Sequence, residues 1–408
     1  MTRVLLVCPE PLGHGQPAGI GIRFLEMARV LVAGGYSVTV ISADGGDVPD
    51  ARCEAVSPQS ILRATSTSEV AVVQGHVANE LFSHGHPIPT VVDLYDPFII
   101  ENLHYFGSRG AEVFLHDHAT LMMSILRGDY FLCASETQRQ FYLGLFLAAG
   151  RLNPELFEHD PRLESLIRIA PFGVQPPRPP AERDLERPAV LFGGIYDWYD
   201  PIKAIDAVAL AQRDVPGITL TFTRHPNPEI TPQGRAAEAV AYVKRRDLGD
   251  LVRFEPWVAY GRRAEFFERF ALSLLTFPQS LETDLSMRTR IYDYLWGGLP
   301  IVTSSAPGTD EILAWCDAGS IIRSNEPSDF ARELVAIVRD PARHARMSAG
   351  ARAFAVAHQW ERVLEPLLSF CRDPRIEVTK DSWSVRMQVP EHPPSILDRI
   401  KRKIGGSF

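Results

Sequence analysis

The chain has 408 residues, 45% of them hydrophobic and 23% charged, a composition that suits a globular protein with room for two ordinary domains. Its 42 basic side chains against 50 acidic ones leave a net charge of -8, so no basic surplus exists for a nucleic-acid backbone and nucleic acid is not an expected partner. Five widely spaced cysteines without a CxxC or Cys/His cluster argue against structural zinc and a disulfide framework. No apolar run approaches the ~18 residues of a membrane span. With an N-terminal apolar run too short for a signal peptide, these features lead us to expect a cytoplasmic protein.

In chain order, Val4–Cys8 is a continuous apolar run of the kind buried on both faces of a parallel sheet. A Gly/Pro-rich loop, residues 9–21, precedes a helix with Ile20, Phe24, Ala28 and Leu31 on one face, and Ser37–Ile41 is the next strand. Val70–Val73, Pro89–Leu94, Tyr130–Cys133 and Leu166–Ile169 supply further strands at helix-length intervals, the alternation of an α/β domain. Gly19-Ile-Gly21 lacks the third glycine of a dinucleotide fingerprint and points instead to close backbone approach by a ligand or a neighbouring domain. His76 follows the third strand and suits either an ordinary hydrogen-bonding role or a catalytic one. Asp93 and Asp96 follow the fourth; either fits a base or a sugar-orienting group, and equally a helix cap.

The proline-rich, charged stretch 175–188 reads as a semi-rigid connector between domains. Beyond it the alternation resumes with Ala189–Phe192, Ile218–Thr223, Val252–Phe254, Leu272–Phe277, Ile301–Thr303 and Ser320–Ile322. The predicted division is a first Rossmann-like domain over 1–178, a second over 188–370, and a tail over 371–408. Two doubly wound domains of this kind leave a cleft between facing carboxyl edges.

The chemistry concentrates between Phe277 and Thr303. The strand ends in a loop carrying Glu282 and Asp284, and a helix follows with Arg288, Arg290 and Asp293. Arginines at a helix N-terminus, where backbone N–H groups are free and the helix dipole is positive, suit an anion such as a diphosphate. Solvated arginines on a surface helix are the alternative.

These motifs, in this order, resemble a known family. Pro278…Glu282 followed by Asp293-Tyr-Leu-Trp-Gly-Gly-Leu-Pro-Ile-Val is similar to the donor motif of the retaining, nucleotide-sugar-dependent glycosyltransferases of family four, which have the GT-B fold. Cys133-Ala-Ser-Glu-Thr, Ala170-Pro-Phe-Gly-Val174 and Gly308-Thr-Asp-Glu311 match other segments of that family, and the resemblance runs over about residues 4–370. It implies two Rossmann-like lobes facing across a cleft. It also implies transfer of a sugar from a nucleoside diphosphate to a hydroxyl of a glycan, a lipid-linked sugar or a small natural product, without metal or other cofactor. Asp293 takes the place of the residue holding the nucleotide ribose, and Glu282 that of the residue contacting the donor sugar. The backbone N–H groups of Asp284, Leu285, Ser286 and Met287 are implied to reach that sugar. Gly19 and Gly21 sit where the glycine loop meets the diphosphate, and His76 and Asp96 fall near acceptor-side catalytic positions.

Two departures matter. Ten residues, not seven, separate the two acids, and the family's Arg and Lys for the diphosphate are replaced by Gly194 and Tyr199. We therefore expect Arg288 and Arg290 to take over the diphosphate, with Arg224 as a reserve. Trp198 and Tyr199 are expected either to stack on the donor base or sugar or to pack in the core. The missing cation pair also keeps open a degenerate relative that binds nucleotide sugar or a partner transferase without turnover. In the tail, Ile396–Ile404 reads as a short basic amphipathic helix, suited to weak contact with an anionic membrane or to packing on the protein.

Overall fold

The computed structural model describes residues 2–13, 17–224 and 233–384; the expected basic helix at 396–404 lies outside them. Among the described residues, no helix is long and apolar enough to cross a membrane.

The first lobe carries β1 (Arg3–Val7), β2 (Ser37–Ser42), β3 (Arg52–Ala55), β4 (Val70–Val73), β5 (Thr90–Asp93), β6 (Tyr130–Cys133) and β7 (Ile167–Ile169). They form one parallel sheet in the order β3-β2-β1-β4-β5-β6-β7. The second lobe carries β8 (Ala189–Gly194), β9 (Thr219–Thr223), β10 (Val252–Glu255), β11 (Leu272–Leu275), β12 (Ile301–Ser304) and β13 (Gly319–Ile322). Their order, again all parallel, is β10-β9-β8-β11-β12-β13. Two α/β sheets wound in this way match the fold class the sequence implies. Central strands such as β4, β6, β11 and β12 are buried along their whole length because helices cover both faces, and this is why they read as unbroken apolar runs.

β3 does not read that way. Arg52-Cys-Glu-Ala55 has no apolar run, and as an edge strand it is only partly covered. Strand order reverses beside β1 in one sheet and beside β8 in the other. The crevices outside β1/β4 and β8/β11 are therefore the natural binding positions, and the two lobes turn them towards each other.

The connector is tied down. Arg183 donates to the carbonyls of Phe267, Phe270 and Gly297 at 2.5, 3.1 and 2.6 Å, satisfying helix-end acceptors of the second lobe. The chain crosses between lobes a second time near Trp360. Val174 N–H donates to His358 O at 2.9 Å, and a Cβ on Gly173 would run into the Trp360 ring. The helices at Trp360–Val363 and Glu365–Arg372 then cover the first lobe. Arg29 pairs with Glu361 at 2.8 Å, and Phe370 stacks on Tyr130 with ring centroids 4.7 Å apart. A division at residue 370 would leave both helices with the second lobe, whereas their partners lie in the first. Residues 377–380 continue along the first lobe, with Lys380 Nζ 2.6 Å from Asp129 and Glu377 3.2 Å from Arg151.

Candidate active site

A cavity of about 320 Å³ lies between the lobes, at the carboxyl ends of the strands flanking both crevices. Its second-lobe wall is set by the turn after β11. Ser280 caps the one-turn helix Leu281–Leu285 by accepting from Thr283 N–H at 3.1 Å. The chain then runs extended through Ser286 to Arg288, the cap residue of the helix Thr289–Trp296. This break places Arg288 and Arg290 in the cleft, 4% and 9% exposed.

The two arginines differ in their partners. Arg288 turns back on Glu282 in a fork: Nη1 meets one carboxylate oxygen, and Nη2 donates to the other at 2.6 Å. Both side chains are 2% exposed. Arg290 instead lies over the rings of Tyr199 and Tyr196, 4.7 and 5.0 Å from their centroids, and its Nη1 has no hydrogen-bond partner. Among the described residues no carboxylate pairs with it. Room for this guanidinium comes from the end of β8, where the ladder bulges at Gly193, a residue with φ of 80°. A Cβ on Gly194 would stand 3.1 Å from Arg290 Nη2. Arg290 thus fills the space over Gly194 and Tyr199. One turn along, Asp293 accepts from Arg263 Nη1 at 2.5 Å; burial raises its pKa, and Arg263 and then Arg290 oppose the shift.

The first-lobe wall is acidic. Glu10, after β1, accepts the Gly21 N–H at 2.7 Å. Burial pushes its pKa up to about 7, with the Gly21 bond opposing and the Asp96 charge adding. Asp96, after β5, is pushed up to about 6 by burial and by the charges of Asp93 and Glu282, against a bond from Glu101. Burial and the Asp96 charge raise Glu101 well above the carboxylate range. Asp93 itself is closed off: Arg23 grips it at 2.6 and 3.1 Å, and Arg23 also donates to Ala170 and Pro171 carbonyls.

The lobes meet around the cavity through polar contacts. Tyr95 Oη donates to Met287 O at 3.2 Å, Gln138 Nε2 to Leu285 O at 2.8 Å, and Ser286 Oγ to Glu101 at 3.1 Å. Each removes a loop carbonyl or hydroxyl from solvent, so the loop after β11 is held in place by the opposite lobe.

Of the residues singled out in the sequence, the cavity brings together Gly19, Asp96, Trp198, Tyr199, Ser286, Met287, Arg288, Arg290 and Asp293. The rest stand elsewhere. Glu282 is behind Arg288 with both oxygens engaged, so it does not itself face the cavity. Asp284 is exposed, and Leu285 is buried against the first lobe. Two of the loop N–H groups implied to reach a sugar are spent within the short helix: Asp284 donates to Ser280 O and Ser286 to Glu282 O. Gly21 gives its N–H to Glu10. Arg224 is exposed at the end of β9. His76 is a first-lobe surface group, 3.0 Å from Asp117 and stacked on His116; burial lowers its pKa despite the Asp117 charge. Trp198 stacks on Tyr196, and Tyr199 is both packed against Phe192 and exposed to the cavity, so core and site uses coexist.

Glu10, Glu101, Tyr196 and Arg263 line the cavity without having been anticipated. Glu10 had a signal, an acid directly beyond the first strand. Glu101 had only its position in the helix after Asp96-Pro97, and Tyr196 and Arg263 had none.

No family model matches the chain. A D-inositol 3-phosphate glycosyltransferase of Nocardiopsis dassonvillei is 27% identical over 129 residues, 31% of this chain and 29% of that protein. One of the same name from Streptomyces avermitilis is 29% identical over 117 residues, 29% of this chain and 24% of that protein. The chain therefore spans less than a third of the length of these curated relatives. Solved structures align over nearly all of it. Anabaena HepE in complex with UDP and glucose has a TM-score of 0.62 at 14% identity, covering 91% of this chain and 100% of that one. WaaG, a glycosyltransferase of lipopolysaccharide biosynthesis, has a TM-score of 0.63 at 15% identity, covering 90% and 98%. With its two parallel sheets and the cleft between their switch points, this chain has the GT-B fold.

Proposed function

We propose that the protein is a glycosyltransferase moving a sugar from a nucleoside diphosphate to an acceptor hydroxyl in the interlobe cavity. The observation that carries this reading is Arg290, a buried guanidinium with an unpartnered N–H on the cavity wall and no carboxylate bonded to it among the described residues. Charge without a partner is costly inside a protein, and a bound diphosphate would satisfy it. Arg290 occupies the space over Gly194 and Tyr199, the two positions where the resembling family carries its diphosphate cations. The partial sequence likeness to inositol phosphate glycosyltransferases and the solved complexes of HepE with UDP support the same class.

In this reading the bond between the anomeric carbon and the diphosphate oxygen breaks while Arg290, seconded by Arg288, takes up the charge developing on the leaving group. The acceptor oxygen bonds to the anomeric carbon on the same face and passes its proton to the departing phosphate, which gives retention and needs no metal. Asp293 and Arg263 form the polar rim for the nucleoside, and Asp96 lies on the acceptor side. Contacts between the lobes exclude water. A second reading, nucleotide-sugar binding without turnover, is favoured by Glu282, whose oxygens are closed by Arg288 rather than offered to a sugar.

Thermal shift against UDP, GDP, ADP and dTDP tests the donor site. One of them is expected to stabilise the fold by about 2.7 kcal/mol at a hundredfold excess over its Kd, undiminished by EDTA. If none raises Tm, the proposal is lost. Hydrolysis of the matching sugar nucleotide without acceptor then separates an active enzyme from an inert binder.

A further inference from the structure

The cavity has two electrostatic ends. On the second-lobe wall Arg290 has a free N–H; on the first-lobe wall Glu10, Asp96 and Glu101 converge. Few cations answer these acids. Among the described residues no Lys, Arg or His forms an ion pair with Glu10, Asp96 or Glu101, and Arg288, whose charge acts on Glu101, is already closed by Glu282. Arg23, the nearest cation of the first lobe, belongs to Asp93. Burial and the neighbouring Asp96 charge hold the Glu101 carboxyl towards its protonated form while the wall is bare. Each of the three keeps part of its side chain open to the cavity.

We infer that the acceptor of this protein carries a protonated amine, as an amino sugar or aminocyclitol does, and that Asp96 and Glu101 bind that ammonium, with Glu10 beside them. This deepens the glycosyltransferase reading and rests on it. An ammonium offers three donors to these carboxylates, and its positive charge favours their ionised forms. A phosphorylated acceptor would meet uncompensated carboxylates and is disfavoured. Unpartnered Arg290 on the second-lobe wall shows that the same cavity is built for a ligand.

The test is calorimetry on the full chain, with and without UDP. Streptamine and glucosamine are compared with inositol and glucose, in which hydroxyls replace the amines. Charge-assisted hydrogen bonds predict binding of each amine about ten-fold or more tighter than its neutral counterpart. That preference should collapse to near unity in the isosteric Asp96→Asn/Glu101→Gln variant. The thermal shift with UDP, which reads Arg290 and not this wall, should persist there and so show that the variant is folded. Equal affinity for amine and hydroxyl compounds, tighter binding of glucose 6-phosphate than of glucosamine, or an amine preference that survives in the variant would each overturn the inference. Amine preference without a shift from UDP, GDP, ADP or dTDP in the unaltered protein would retain the ammonium site and remove the glycosyltransferase reading. A UDP shift without amine preference would do the reverse.

Discussion

Arg290→Ala is expected to lower kcat/KM for the sugar nucleotide by about 10²–10³-fold, the loss typical of removing one preorganised donor from a developing anion. Stability should move little. No described carboxylate is hydrogen-bonded to Arg290 and its Nη1 is already unsatisfied, so truncation breaks no ion pair. It gives up stacking on Tyr196 and Tyr199 and the charge that opposes the raised pKa of Asp293, which sets a small cost. A structural arginine would behave in the opposite way, losing Tm along with activity. Arg290→Lys keeps the charge but not the planar fork, and partial recovery is expected. Parallel kinetics and melting curves decide it. Turnover within twofold of the unaltered protein would take Arg290 out of the reaction.

The contrast between the two arginines was not legible in the sequence, although both residues were. Apolar runs such as Val70–Val73 and Leu272–Leu275 announce strands because burial on both faces demands it. Their alternation with helix-length intervals sets the doubly wound order, and the order sets the crevices. Which loop residue turns inward is decided by long-range partners instead. Nothing local says that Glu282 will fold onto Arg288, six positions away, or that Ser286 will reach Glu101 in the other lobe. The acidic wall draws Glu10, Asp96 and Glu101 from the segments after two different strands, and of the three Glu101 had only its position in the helix after Asp96-Pro97. The helices at Trp360–Val363 and Glu365–Arg372 show the same limit at larger scale. Amphipathic spacing marks a helix with a face to bury but does not say which sheet it covers.

Removing Arg288 should behave quite differently from removing Arg290. Arg288→Ala leaves Glu282 inside the protein, 2% exposed, with its fork partner gone, and breaking such a pair costs about 3–5 kcal/mol. Glu282→Ala is expected to cost a similar amount, because it strands the guanidinium over Tyr199 and Phe277. Replacing both by apolar groups of like volume, Arg288→Met with Glu282→Leu, should return most of the stability, since neither charge then remains without a partner. Denaturant melts of the unaltered protein, Arg288→Met, Glu282→Leu and the double variant close a double-mutant cycle, and a coupling near zero would show that the fork carries no weight in the fold. Activity supplies the second axis. If Arg288 also stabilises the leaving diphosphate, the doubly apolar protein is folded yet slow, because the cation nearest Arg290 is gone. If it recovers turnover together with stability, Arg288 serves only to anchor the loop after β11, and the diphosphate rests on Arg290 alone.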